Sequence, residues 1–261
     1  MAANWKDDQA TLSWLQALAQ FDDDWVVRVT AVEKLANGWK DNSGTLPWLK
    51  TLAWSDNYGA VRVEAVEQVA QGWKEEPETL PWLKTLAKSD EYSTVRLAAI
   101  SQLADGRNGE PGMFEFLCNC VLNIPFECEE YLEYNPRRRA LGGILDQYPN
   151  HPQTLPLLRD LAENDPDYEV REFAVQELAH GWKDEPGMFE FLHNRALNDP
   201  FERKDDWEYN PRQLALKIII KNYPNHPQIL PLLRDRSLND PDEKVRDFAT
   251  EKLKNWSKSC E

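Results

Sequence analysis

A dipeptide recurs through this chain at a fixed spacing. Val27-Arg28, Val61-Arg62 and Val95-Arg96 lie 34 residues apart, and Val170-Arg171 and Val245-Arg246 stand in the same local context. Pro136-Arg137 and Pro211-Arg212 fill the remaining places, each about seven residues later than the period requires. Seven units result, two of them long. A period in this range signals a stacked solenoid, in which one unit cannot bury its own apolar face and depends on its neighbours to cover it. The core of such a chain is spread along its length, and function is expected on its surface rather than in an enclosed catalytic pocket.

Each short unit reads as two helices. In the third, Thr79-Leu-Pro-Trp-Leu-Lys-Thr-Leu-Ala87 is followed by a turn at Ser89-Asp90 and then by Val95-Arg-Leu-Ala-Ala-Ile-Ser-Gln-Leu-Ala104. Thr79 is placed to cap the first helix, and Pro81 is tolerated because it falls in the first turn. Gly38, Gly72, Gly106 and Gly181 follow the second helix, where a left-handed residue is wanted, and Asp165-Pro166 and Asp240-Pro241 supply a cap and a proline at a helix start. The expected organisation is one continuous array over residues 1–261, with short repeats in 7–106 and duplicated long-plus-short blocks in 107–183 and 184–256.

On a helical wheel of the second unit, Val61, Val63, Ala65, Val66, Val69 and Ala70 form one broad apolar arc with Arg62 in its middle. A guanidinium there needs a partner, since breaking a buried ion pair costs about 3–5 kcal/mol. Asp22, Asp56, Asp90, Asp165 and Asp240 each lie six residues before Arg28, Arg62, Arg96, Arg171 and Arg246, in the turn between the helices. These pairs are expected to form a structural ladder along the stack.

The Asp-x5-Arg spacing, the paired helices and the repeat length resemble HEAT repeats. More narrowly, Gly72-Trp-Lys-Glu-Glu-Pro-Glu-Thr-Leu-Pro81, Tyr223-Pro-Asn-His-Pro-Gln-Ile-Leu-Pro-Leu-Leu-Arg-Asp235 and Asn239-Asp-Pro-Asp-Glu-Lys-Val-Arg246 are similar to the HEAT arrays found C-terminal to NACHT-type signalling ATPases of cyanobacteria. The resemblance implies an all-α, right-handed solenoid of about seven HEAT-like two-helix repeats. It implies a non-catalytic interaction scaffold, or a sensor or adaptor arm in bacterial signalling or defence. The ATPase activity of that family does not carry over, because the sequence contains no G-x4-G-K-[ST] phosphate loop. The chain opens at Trp5-Lys6, which aligns with the end of a unit, so a stand-alone protein and a segment of a longer array both fit. A second resemblance, to the HEAT-repeat lyases that attach bilin pigments to phycobiliproteins, implies an enzyme or chaperone acting on those proteins.

A formal charge of -15 and a pI near 4.8 oppose a phosphate backbone, so nucleic acid is excluded as an expected partner and a HEAT-like DNA glycosylase with it. The first ten residues lack a secretory pattern and no apolar run could span a bilayer; a cytoplasmic monomer without membrane contact is expected. Cys118, Cys120 and Cys128 form a C-x-C-x7-C cluster, but the duplicated stretch carries His193, Arg195 and Arg203 in their places. Two arginines cannot ligate zinc, so these cysteines and Cys260 read as reduced thiols, and neither metal nor cofactor is expected. His151, His180, His193 and His226 lack a matched nucleophile and orienting group. No catalytic residue is assigned.

Recognition residues are sought in two places. Pro111-Gly-Met-Phe-Glu-Phe-Leu117 recurs as Pro186-Gly-Met-Phe-Glu-Phe-Leu192, and each copy leads into an acidic and aromatic insertion, 125–136 and 200–211. Extended loops on a rigid array are common binding elements, and Tyr131 and Trp207 are the aromatics that differ between the copies. Phe126, Phe201, Tyr134 and Tyr209 can equally pin the loops to the stack. The second place is the face of the second helices. Two residues after each arginine the series runs Thr30, Glu64, Ala98, Arg139, Phe173, Leu214, Phe248, turning large and apolar towards the C-terminus. Arg138 and Arg139 add a basic spot, and Lys217 shares the face with Leu214. Tyr131, Arg138, Arg139, Phe173, Trp207, Leu214, Lys217 and Phe248 are therefore the candidate contacts for a protein or peptide. Two aromatic series have a packing role instead: Trp39, Trp73, Trp182, Tyr148 and Tyr223 at the ends of second helices, and Trp14, Trp48 and Trp82 on first helices.

Overall fold

The computed structural model describes residues 8–106, 109–125 and 135–258. These residues hold fourteen α-helices and no strand. The chain divides into two compact units, Met1–Pro149 and Asn150–Glu261. The first carries α1 (Gln9–Phe21), α2 (Trp25–Gly38), α3 (Thr45–Ser55), α4 (Gly59–Gly72), α5 (Thr79–Ser89), α6 (Ser93–Gly106), α7 (Met113–Asn123) and α8 (Pro136–Gln147). The second carries α9 (Thr154–Asn164), α10 (Tyr168–Gly181), α11 (Met188–Asn198), α12 (Pro211–Asn222), α13 (Ile229–Asn239) and α14 (Glu243–Lys258). Tyr131, Cys128 and Cys260 lie outside the described residues, as do Phe126 and Tyr134. None of the described helices is long and apolar enough to cross a membrane.

The helices run in antiparallel pairs, odd with even. The first helix of a pair is 11 residues in α3, α5, α9 and α13, too short to persist alone. It is held by one narrow stripe, such as Leu83, Leu86 and Ala87 in α5. The second helix buries a broader arc, Val61, Ala65, Val66, Val69 and Ala70 in α4, because it packs both on its own partner and on second helices of adjoining pairs. Small side chains allow that approach. In the first unit α2, α4, α6 and α8 lie side by side, and at Gly143 of α8 an added Cβ would stand 2.6 Å from Ala104 Cβ of α6.

The helix ends differ from the expectation built on glycine. Gly38, Gly72, Gly106 and Gly181 are the last helical residues, and none has a positive φ. The chain leaves the helix at the following aromatic: Trp39 has φ -125° and ψ 34°, and its amide still donates to the Leu35 carbonyl at 3.0 Å. Burial of the Trp39 and Trp73 rings fixes this exit. The left-handed glycines described are Gly109, Gly112 and Gly187, the last two at the start of α7 and α11. The threonine reading also changes. Thr45 and Thr79 are buried inside the first turn and give no side-chain cap; the Thr45 hydroxyl instead donates to the Trp39 carbonyl at 2.8 Å, tying one pair to the next.

Candidate interaction surface

The arginine and aspartate series is resolved residue by residue, and its pairing is offset by one repeat from the one the spacing suggests. Each aspartate ends a first helix, and one carboxylate oxygen accepts the backbone amide two residues on: Tyr58 on Asp56 at 2.8 Å, Tyr92 on Asp90 at 3.0 Å, Asp167 on Asp165 at 2.9 Å, Asp242 on Asp240 at 2.9 Å. In three of these turns the arginine six residues later reaches the carbonyl of that aspartate, whereas Arg62 Nε donates to the Ala53 carbonyl at 2.9 Å. Nη1 of Arg96, Arg171 and Arg246 donates to the carbonyls of Asp90, Asp165 and Asp240 at 2.7, 2.8 and 2.6 Å.

The carboxylate belongs to the following pair of helices. Arg28 meets Asp56 at 3.3 Å, Arg62 meets Asp90, Arg171 holds both oxygens of Asp199 at 3.0 Å, and Arg212 holds Asp240 at 3.1 Å. Asp199 is a rung that the sequence reading left out. It is legible from the duplication, since it stands at the Asp position of the second long unit. In the first long unit Ile124 takes that place, and Arg96 Nη2 donates to the Pro125 carbonyl at 3.0 Å. Asp22, by contrast, accepts the Asp24 amide at 2.9 Å and meets no arginine among the described residues. Burial pushes the Asp90 carboxyl up, against the opposing pull of the Tyr92 amide and Arg62.

The proposed contact residues fall into separate groups. Arg138 and Arg139 lie on α8 of the first unit; Arg139 is half-buried, with Nε on the Ser101 hydroxyl at 3.2 Å and its guanidinium paired with Asp105. The remaining described candidates belong to the second unit. Phe173, Leu214 and Phe248 follow one another on α10, α12 and α14 and are half-buried, not exposed as the apolar series suggests. At Phe248, Lys217 and Lys252 place their ammonium groups over the ring, 5.6 and 5.2 Å from its centre. Lys217 and Phe248 are thus brought together.

Trp207 is 54 % exposed, on the segment joining α11 to α12. That segment is held in place from within the second unit. Arg203 Nε and Asn210 Nδ2 both donate to Asp242 Oδ2 at 2.9 Å, Lys244 pairs with Asp206 at 3.3 Å, and buried Phe201 meets the Tyr168 ring at 4.9 Å. Although burial pushes the Asp242 carboxyl up, the Asn210 amide and the Arg203 guanidinium outweigh it and hold it below the usual carboxylate range. A cavity of about 570 Å³ lies between this segment and the start of α14, lined by Phe201, Arg203, Arg212, Asp242 and Lys244 among others.

A second exposed feature was not anticipated. In the first unit, Trp25 stacks on Tyr58 with centres 6.0 Å apart and planes within 6°, while Arg28 and Arg62 lie 5.5 and 4.7 Å from the rings of Tyr58 and Tyr92. The rings cover the charged rungs and leave their outer faces to solvent. The signal available was positional: Tyr58 occupies the N-cap of α4, where α2 and α10 carry the capping carboxylates Asp24 and Asp167.

Burial pushes the Cys118 thiol up to about 11 and the Cys120 thiol up to about 12, so both stay protonated near neutrality. No metal-holding group of His, Cys, Asp and Glu occurs among the described residues. His151 and His226 sit at the entrances of α9 and α13, each accepting an amide at 3.4 Å, and His226 lies flat on Phe189.

Comparison with known proteins bears on the repeat. The family model described as HEAT repeats matches residues 4–118. The X-ray structure of YibA from E. coli, a structural genomics target, aligns over 95 % of this chain and 83 % of its own with 17 % identity and a TM-score of 0.47. No curated protein gives a significant match. The chain is an all-α protein of paired-helix repeats, similar over residues 4–118 to HEAT repeats.

Proposed function

We propose that this protein is a non-catalytic scaffold or adaptor that binds another protein through the second-helix face of its Asn150–Glu261 unit. HEAT-repeat proteins are generally protein-interaction scaffolds, and the fold is typically non-catalytic. The observation that carries the reading is the Phe248 ring, half-buried between Lys217 and Lys252 and in series with Phe173 and Leu214. An apolar strip rimmed by lysine suits a partner segment that offers an apolar anchor beside carboxylates. Trp207 adds a large exposed ring on a braced segment. The NACHT-type resemblance supports a setting in bacterial signalling or defence.

The test is quantitative capture from cyanobacterial lysate by the wild-type chain and by a Phe173→Ala, Trp207→Ala, Phe248→Ala variant with an unchanged circular dichroism spectrum. A protein held by the wild type and released by the variant is expected. Equal retention would place the binding face elsewhere, and capture of nothing specific by either would remove the scaffold reading.

A further inference from the structure

Two arginines of the first unit are roofed by a tyrosine that stands four residues before the next arginine of the series. The Tyr58 ring lies 5.5 Å from the Arg28 guanidinium, and the Tyr92 ring 4.7 Å from that of Arg62. The same position before Arg246 is Asp242. Its carboxylate is turned aside: Oδ2 accepts from Arg203 Nε and Asn210 Nδ2 at 2.9 Å, and Oδ1 from the Lys244 amide at 2.9 Å. The place that a ring fills over Arg28 and Arg62 is therefore open over Arg212, and the cavity of about 570 Å³ has both Arg212 and Asp242 in its lining. Its walls come from adjoining helix pairs inside the second unit, residues of 199–206 on one side and of 241–244 on the other.

The N–H groups of Arg212 are already engaged. Nε and Nη2 donate to Asp240 at 3.1 Å, and Nη1 donates to the carbonyls of Asp199 and Phe201 at 2.7 and 2.8 Å. What the guanidinium has left to offer a ligand is its flat face, which stacks on an aromatic ring. Pro200, Phe201 and Pro241 add apolar wall. The mouth, by contrast, is acidic. Arg203 is matched by Asp242 and Lys244 by Asp206, whereas the exposed Glu202 and Glu243 make no ion pair among the described residues. A cavity of this size suits one inserted side chain or a small ligand, and the two unmatched carboxylates select an occupant flanked by positive charge.

We propose that this cavity is a docking site for a tyrosine side chain carried on an exposed, basic segment of a partner protein. The ring stacks on Arg212, as the chain's own Tyr92 lies over Arg62, and an arginine or lysine beside it meets Glu202 and Glu243. The site uses none of Phe173, Leu214, Lys217 or Phe248, so it is a second contact that stands whether or not the second-helix strip binds.

Fluorescence anisotropy of a labelled acetyl-Gly-Arg-Tyr-Arg-Gly-amide peptide, titrated with the intact chain at low ionic strength, tests this. Saturable binding is expected, and alanine in place of the peptide's tyrosine is expected to weaken it about 30-fold, the loss of one desolvated cation–π contact. Glu202→Lys combined with Glu243→Lys changes two exposed side chains and is expected to weaken binding about tenfold. Asp242→Tyr fills the place with a ring of the chain's own and is expected to abolish binding, with circular dichroism showing that the helices are retained. The charge variant leaves the Arg203–Asp242 pair intact, so it tests the site even where Asp242→Tyr loosens the segment. A wild-type chain that shows no saturable binding would overturn the proposal. So would equal affinity for the alanine peptide, or a double charge variant that binds like the wild type.

Discussion

Arg171 shows how a charge is accommodated between apolar helices. Three nitrogens are used in fixed directions, two on the carboxylate of the next pair and one on carbonyls of its own turn. Removing that side chain leaves Asp199 buried and uncompensated, whereas removing Arg246, half-buried and bonded to carbonyls alone, strands no carboxylate. Arg171→Ala is expected to lose about 3–5 kcal/mol and Arg246→Ala about 1 kcal/mol, read from urea unfolding of the dilute chain; equal losses would deny the carboxylate its role. The positions of these residues are legible in the sequence because they recur. Their pairing is not, since an aspartate six residues away looks nearer than one 28 residues away, and only the folded turn reveals that its own amide claims the near oxygen.

For the elements, the helix count and alternation follow from the period, while the helix ends depend on neighbours. The glycine before Trp39 suggests a left-handed stop; the buried indole carries the helix bond one residue further. Two adjacent glycines in α8 separate local preference from packing. An added Cβ at Gly142 meets only Arg139 Nη1 at 3.9 Å, while one at Gly143 meets Ala104 Cβ at 2.6 Å, an atom that cannot rotate away. Gly142→Ala is expected to gain up to about 1 kcal/mol from helix preference. Gly143→Ala is expected to lose about 1–3 kcal/mol as α6 and α8 are forced apart. Thermal melts of the two variants shifting in the same direction would contradict the close approach of these helices.

At the scale of the molecule, the repeat was readable and the surface much less so. Counting from each arginine places Phe173, Leu214 and Phe248 on one face, but it does not register that the ammonium groups of Lys217 on α12 and Lys252 on α14 lie over the Phe248 ring. Nor could it distinguish Tyr58 and Tyr92 as covers of the charged rungs in one unit from the polar caps at the same place in the other. The ladder itself has a consequence for how such a chain changes length. Because a repeat that carries both residues brings one donor for the repeat ahead and one acceptor for the repeat behind, such a block can be duplicated or excised without orphaning a buried charge. Excision of residues 111–185 would leave a single copy of the Pro-Gly-Met-Phe phrase, joined to Glu110, and set Asp199 opposite Arg96, where Ile124 now stands. The shortened chain is expected to melt in one cooperative transition, and a broad, non-cooperative melt would count against it. Charge pairing, usually a brake on rearrangement in a protein interior, here makes the array tolerant of growth by whole repeats.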